Sequence, residues 1–433
     1  MQNDISSFQL SNGLRVLLKE IHTVPIVSQW TWYRVGSRNE KAGIRGISHW
    51  VEHLQFKGTE KFPGEKLDQV ISRVGGIWNA MTHLDWTTYY ETLPANQIDL
   101  ALDLEADRMQ HSVFDEDEIN AERTVVISEL EGNENDPLFR LNSAIQSKAF
   151  QFHPYSHDVI GTLEDLQHMT RDQLFRYYQD HYNPDNAILC IAGDFNITEV
   201  TAKIERYFSS IPPRSISEEN IPVEPDQTNE NYLEIKGPGD ALYIQIAYHA
   251  SQANHRDFFT LSVLDSLLAG PSPLVMFGGG GISNRTSRLY QALVEKDIVV
   301  SVSGDVQATI DPFLHTFILT LNPTADPHKA LQAFDKEIEK IKQEKISRQD
   351  IDRAIQQAEA MFAYGSENIT NQAFWMGYSS IFASYDWYEN YIQNLRSITD
   401  TDIQTFAQKH FAFHNRTIGI YFPTQEEDHD AIQ

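Results

Sequence analysis

His49-Trp50-Val51-Glu52-His53 decides how this chain is read. Four residues apart on a helix, His49 and His53 share one face, so two imidazoles can grip a single metal ion. Glu52 stands one place before the second histidine, close enough to face a water on that metal. Trp50, Val51, Leu54 and Phe56 interleave with these polar residues, which predicts a helix largely buried around them. Buried imidazoles beside a buried carboxylate are costly without a partner, and a metal is the natural one. The competing reading is a solvated or packed pair of histidines. In a chain with 16 His and 61 acidic residues among 433 such pairs arise by chance, so the surrounding sequence has to decide.

Working outward, residues 8–37 alternate apolar and polar about a turn at Ser11-Asn12-Gly13, which predicts a β-meander leading into the His49 helix. Val74-Gly75-Gly76 ends a second helix, and 77–93, rich in Thr, Tyr and Trp, reads as a strand pair. Helical periodicity covers 96–111 and 115–131, an apolar strand 187–193, and an amphipathic helix 199–208. Residues 211–230 then change character, with four prolines, many acidic residues and little periodicity. They read as a linker between an N-terminal domain at 1–210 and a C-terminal domain at 231–433. The two parts are related. Residues 166–186 can be laid on 395–415 at a constant offset of 229, matching Leu166 with Leu395, Thr170 with Thr399, Gln179 with Gln408, His181 with His410 and Asn186 with Asn415. The counterpart of the His49 helix falls at 259–269, which carries no histidine.

Composition narrows the classes. A hydrophobic content of 41% with mixed charge marks an ordered globular protein, and its length suggests at least two domains. No apolar run is long enough to span a bilayer. Residues 1–7 are polar and acidic, without a basic segment or an apolar signal core, which points to the cytoplasm. The single Cys190 lies in an apolar run and reads as a small core residue. A formal charge of −27 argues against nucleic acid or an anionic membrane as partner.

Two histidines do not complete a catalytic zinc site, which takes three protein ligands and leaves one position open. Glu122 and Glu129 lie seven apart, two turns along one helical face, so both can point at one spot. The apolar run Val125-Val126-Ile127 suggests that this helix is packed on several sides rather than solvated.

The order His49-x-x-Glu52-His53 inverts the HExxH pattern of other zinc enzymes. Followed by Glu129, it resembles the pitrilysin/insulinase family of zinc metallopeptidases, above all its small bacterial members similar to mitochondrial processing peptidase. Gly46-Ile-Ser-His-Trp-Val-Glu-His through Lys57-Gly58-Thr59 looks like the family's metal helix, and Gly75-Gly76-x-x-Asn79-Ala80-x-Thr82 like its active-site edge strand. His153-Pro-Tyr155, Ile160-Gly161, Tyr182-x-Pro184-x-Asn186, Ala192-Gly193-Asp194 and Ser287-Arg-Leu-Tyr290 are similar to later landmarks, so the likeness covers nearly the whole chain. The resemblance implies an α+β fold of two homologous domains, each a mostly antiparallel sheet covered by helices, forming half of a clamshell chamber. It implies one Zn2+ per chain held by His49, His53 and Glu129, with Glu52 as catalytic general base and Glu122 orienting a ligand histidine. Asn79 and Ala80 are then the substrate-binding residues, offering backbone hydrogen bonds to a peptide added as an extra strand.

One stretch departs from the family. Many members carry an Arg, and a Tyr seven places later, in a second-half segment like Leu-Arg-Glu-Lys-x-x-x-x-Tyr. Here the segment is Leu293-Val294-Glu295-Lys296-Asp297-Ile298-Val299-Val300-Ser301, with Val294 in the place of the Arg and one residue too few before the Tyr position. Valine donates no hydrogen bond to an oxyanion, and loss of such a donor typically costs ~10²–10³ in rate. The reading that follows is a zinc endopeptidase or oligopeptidase acting on unfolded peptides, as the zinc-bearing subunit of a heterodimer whose homologous partner supplies the Arg/Tyr pair. A self-sufficient homodimer or monomer, using Arg285, Arg288 or Tyr290 instead, is the alternative; a non-catalytic scaffold subunit predicts a damaged metal motif, which this chain does not have. The run Gly278–Gly281 lacks the Gly-Lys-Ser/Thr of a phosphate loop and reads as a flexible loop.

Overall fold

The computed structural model describes residues 5–214, 220–271 and 283–424; residues 1–4, part of the expected linker (215–219) and the glycine run 278–281 lie outside them. The chain forms two compact units, one of residues 1–130, 157–222 and 366–388, the other of 131–156, 223–365 and 389–433. Each is a sheet with helices, the α+β organisation expected.

The first unit begins with strands β1 (Ser6–Gln9), β2 (Arg15–Glu20) and β3 (Ile26–Tyr33), then helices α1 (Ile47–Gln55) and α2 (Gly64–Arg73). Strands β4 (Ile77–Thr82) and β5 (Thr87–Pro94) and helices α3 (Ile98–His111) and α4 (Glu116–Asn133) follow. After α5 (Pro137–Ala149), which packs in the other unit, come α6 (Leu163–His168), α7 (Arg171–His181), β6 (Ala187–Gly193) and α8 (Ile197–Phe208). The sheet order is β1-β2-β6-β3-β5-β4. The meander expected over 8–37 is therefore interrupted: β6 enters between β2 and β3, parallel to the first and antiparallel to the second. Every residue of β6 is buried, so an apolar strand of this kind belongs at the centre of a sheet. Among the described residues the strand carrying Asn79 and Ala80, β4, pairs only with β5 and forms the edge.

The second unit contains β7 (Asn231–Pro238), β8 (Leu242–Ala250), α9 (Arg256–Leu268), β9 (Ser301–Val306), β10 (Phe313–Leu321), α10 (Pro327–Gln343) and α11 (Arg348–Gly365). Helix α12 (Ile369–Phe382) returns to the first unit; α13 (Tyr385–Glu389) straddles the boundary, and α14 (Tyr391–Arg396), α15 (Asp400–His410) and β11 (Arg416–Thr424) complete the second. Its order, β7-β11-β8-β10-β9, repeats β2-β6-β3-β5-β4, including the single parallel pair. The internal repeat is visible in detail. α7 and α15 both open on a capping box, at Thr170 and Thr399. The Asn186 and Asn415 amides then each donate to a carbonyl, that of His181 and that of His410, at 2.9 Å. α9 holds the place of α1 between the third and fourth equivalent strands and carries Asp265 but no histidine.

Contiguous domains at 1–210 and 231–433 do not describe this packing, because two segments are exchanged. α5 lies on β11, β8 and β7, whereas α12 lies on β3 and β6. The physical reason for the second is its composition: α12 is buried along nearly its whole length and needs cover on every side. Phe374 meets Trp30 and Trp32 edge-on, both at 5.2 Å between ring centroids, and Gly377 lets the Trp32 indole lie directly against the helix backbone.

Candidate metal centre

α1 buries Trp50, Val51 and Leu54 and leaves His49 and His53 at its margin, as the interleaved pattern requires. α4 buries Ile119, Val126 and Leu130, with Glu122 on the same side and Glu129 exposed at its edge. The two helices thus bring three donors together. His49, His53 and Glu129 each offer one ligand atom, all within 4.8 Å of one another. Glu129 Oε2 is 3.9 Å from His49 Nε2 and 3.6 Å from His53 Nε2. A tetrahedral zinc with bonds of ~2.0–2.2 Å separates its ligands by roughly 3.3–3.6 Å, so this set fits the ion with small adjustment.

Glu122 is not turned toward that point. Its Oε1 lies 2.8 Å from His53 Nδ1, fixing the ring so that Nε2 faces Glu129, and its Oε2 takes the Lys57 ammonium at 2.6 Å. Burial alone would raise the Glu122 carboxyl, but the bonds from His53 and Lys57 outweigh it and hold it below the usual range. For His53 burial acts downward and is overcome by the Glu122 bond and the surrounding carboxylates, so its pKa rises. His49 goes the other way. Burial, aided by His53 and opposed by Glu122, lowers it to about 3, which keeps it the neutral ligand form at pH 7. Its Nδ1 is buried with no hydrogen-bond partner among the described residues.

Glu52 is buried on α1, and Thr82 on β4 donates its hydroxyl to Glu52 Oε2 at 2.8 Å. Burial lifts the Glu52 carboxyl above its ordinary range, with Thr82 and His53 acting against that and Glu129 with it. A carboxylate raised in this way takes up a proton more readily than an exposed one. Two places before Thr82 on the same strand face, the Ala80 N–H is covered by the Asn79 side-chain oxygen at 2.9 Å, with Asn79 itself exposed. Glu52 and the edge strand β4 are therefore physically joined beside the cluster of His49, His53 and Glu129.

The sequence motifs contain Thr82 and Lys57 but assign neither a role. Their signals were present: Thr82 shares the two-residue alternation of Ala80, and Lys57 lies one helical turn beyond His53 and so reaches the same Glu122. In the second unit Tyr290–Val294 form a π-helical turn, with Val294 half-buried at its end and Val300 exposed. Arg288 and Tyr290 are half-buried and Arg285 is exposed.

This arrangement can hold a divalent cation beside a protonatable carboxylate and an open strand edge. Residues 15–163 match the family model described as insulinase (peptidase family M16), and 168–358 match that of the peptidase M16 inactive domain. A zinc protease of Bacillus subtilis, YmxG, is 30% identical over 300 residues that cover 69% of either chain. Zinc protease PqqE of Helicobacter pylori is 28% identical over 90% of this chain and 84% of its own. A protease structure from Helicobacter pylori aligns with a TM-score of 0.88 at 25% identity, covering 97% of this chain and 100% of that one. The inactive-domain match begins just before α7 and runs into α11; α9, the counterpart of α1 within it, carries no histidine. The inverted helix motif, its third donor on α4 and the doubled fold agree with these likenesses, and the chain belongs to the insulinase (peptidase M16) family.

Proposed function

We propose that this protein is a zinc-dependent endopeptidase or oligopeptidase that cleaves unfolded peptides. The observation that carries the reading is the convergence of His49, His53 and Glu129 beside a buried Glu52 held by Thr82. Zn2+ bound by these three ligands supplies a Lewis acid for a peptide carbonyl and acidifies a water. The chain's own residues do the rest. A peptide adds in extended form along the free edge of β4, where Asn79 and Ala80 give up their mutual hydrogen bond to pair with its backbone. Glu52 accepts a proton as water adds to the scissile carbonyl and returns it to the leaving amine. Glu122 keeps His53 in the tautomer and orientation a ligand needs. Glu52→Gln tests the base: it is expected to bind zinc as the parent does and to lose turnover of an unstructured peptide. Retained turnover contradicts the assignment.

The partner is part of the proposal. Val294 presents an aliphatic side chain where an oxyanion donor is expected, which supports a heterodimer with a homologous subunit carrying the Arg/Tyr pair. Peptide cleavage that appears only on mixing the two chains supports this, and full activity of the isolated chain replaces it with the self-sufficient homodimer or monomer. No helix among the described residues is long and apolar enough to cross a membrane. The cytoplasm is proposed as its compartment from the single, buried Cys190, which forms no disulfide, with cell fractionation as the check.

A further inference from the structure

The start of α1 is held by groups that the metal motif does not include. Glu40 is 3% exposed, and its carboxylate accepts three hydrogen bonds. They come from the Gly46 N–H at 2.7 Å, the Ser48 N–H at 2.9 Å and His157 Nε2 at 3.0 Å. Gly46 is the residue before α1, and Ser48 is its second residue, immediately before His49. The first turn of a helix has N–H groups with no partner inside the helix, and α1 begins on a glycine, which has no side chain to cap them. Glu40 therefore does from eight residues upstream what a capping side chain normally does, and adds a negative charge where the helix dipole favours one.

The same corner fixes the lateral position of the helix. Gly46 has φ 90° and Gly161 φ 88°. A Cβ on Gly46 would lie 2.5 Å from the Ile160 carbonyl oxygen, and one on Gly161 would press on the Arg45 carbonyl, so the loop after His157 seats directly on the backbone that enters α1. Asp165 adds bonds from the Gly43 and Arg45 N–H groups at 3.2 and 3.0 Å, and Ser48 Oγ meets the Tyr177 hydroxyl at 2.8 Å. His49 is the next residue along, with its Nε2 directed at Glu129. A metal site tolerates little movement of its ligands, so groups that fix the first turn of α1 bear on how well His49 is placed.

We propose that Glu40, backed by His157, is a positioning residue for the metal site: its carboxylate clamps the first turn of α1 and so sets His49 against His53 and Glu129. The proposal rests on the metal reading above, and its test separates the two. Glu40→Gln keeps the shape but leaves one oxygen where two N–H groups are received. The full chain and this variant are titrated with Zn2+ alone and with Co2+ alone as a spectroscopic probe, and amide exchange is measured on both in the metal-free form. Glu40→Gln is expected to lose about 10–100-fold in metal affinity, to alter the cobalt absorption bands, and to expose the Gly46, Ser48 and His49 amides to faster exchange, with a melting temperature within a few degrees of the parent. Unchanged affinity, spectrum and exchange overturn the clamp, and a lowered melting temperature with unchanged affinity reduces Glu40 to a fold residue and overturns it equally. If the parent itself binds no metal, the peptidase reading fails, while the exchange of these three amides still decides the clamp. Should Glu40→Gln not fold, His157→Ala, which removes only the supporting donor, is expected to show the same pattern in weaker form, with His157→Gln restoring the affinity; no difference between these two overturns the role of His157 and with it the proposal.

Discussion

The Thr82 hydroxyl donates to Glu52 Oε2 at 2.8 Å and so ties the edge strand of the first sheet to the helix that carries His49 and His53. A base must be aimed as well as available, and under the proposed function this bond is the one that aims Glu52. Thr82→Val keeps the branched shape of the strand residue and removes the donor. The expected result is a zinc content equal to the parent and a kcat about 10–100-fold lower, read by metal analysis and steady-state cleavage of one peptide.

Glu122 faces His53 Nδ1 and Lys57 rather than the point where His49, His53 and Glu129 converge, so under the proposed function it acts through His53. Glu122→Gln keeps an acceptor for one partner but loses the charge shared by His53 Nδ1 and Lys57 Nζ, 2.8 and 2.6 Å away. Zinc affinity is expected to fall about 10–100-fold with the stoichiometry still one per chain, measured by competition with a chromophoric chelator.

His410 carries a pH signature in the second unit. Burial, with His315 and His249 adding to it, pushes its pKa well below 6.5, and its Nε2 lies 3.0 Å from His315 Nδ1. In the unfolded chain it titrates near ~6.5. Below that pH the unfolded state binds a proton that the folded state refuses, so stability is present above ~6.5 and is lost as pH falls, by up to about 1.4 kcal/mol per pH unit. Urea midpoints of the metal-free chain are expected to fall between pH 7.5 and 5, and His410→Gln is expected to flatten that slope.

Gly377 on α12 faces the Trp32 indole on β3 with no room for a methyl group. Gly377→Ala forces the ring or the helix aside and is expected to cost about 1–3 kcal/mol by denaturant unfolding. Trp32→Ala, which opens a cavity under the same helix, is expected to cost about 3–5 kcal/mol.

Much of this was legible in the sequence, for definite reasons. His49, Glu52 and His53 sit on one helical face by spacing alone, and the constant offset between 166–186 and 395–415 is reproduced by α7 with β6 and α15 with β11. The exchange of α5 and α12 between the units was not legible, because the proline-rich stretch records where the chain crosses and not which sheet a helix covers. Local periodicity likewise suggested a meander over 8–37, since a strand arriving from residue 187 leaves no trace there. Glu40 and His157 escaped for the same reason. Their partnership spans 117 residues, and neither belongs to a motif with its own spacing.

Zinc stoichiometry and affinity in the parent and in Glu129→Gln test the central claim most directly. The parent is expected to hold one zinc per chain, and Glu129→Gln, which replaces the proposed third ligand on α4, to lose it to a chelator that the parent resists. A parent that binds no zinc, or a Glu129→Gln chain that holds it as tightly as the parent, contradicts the site.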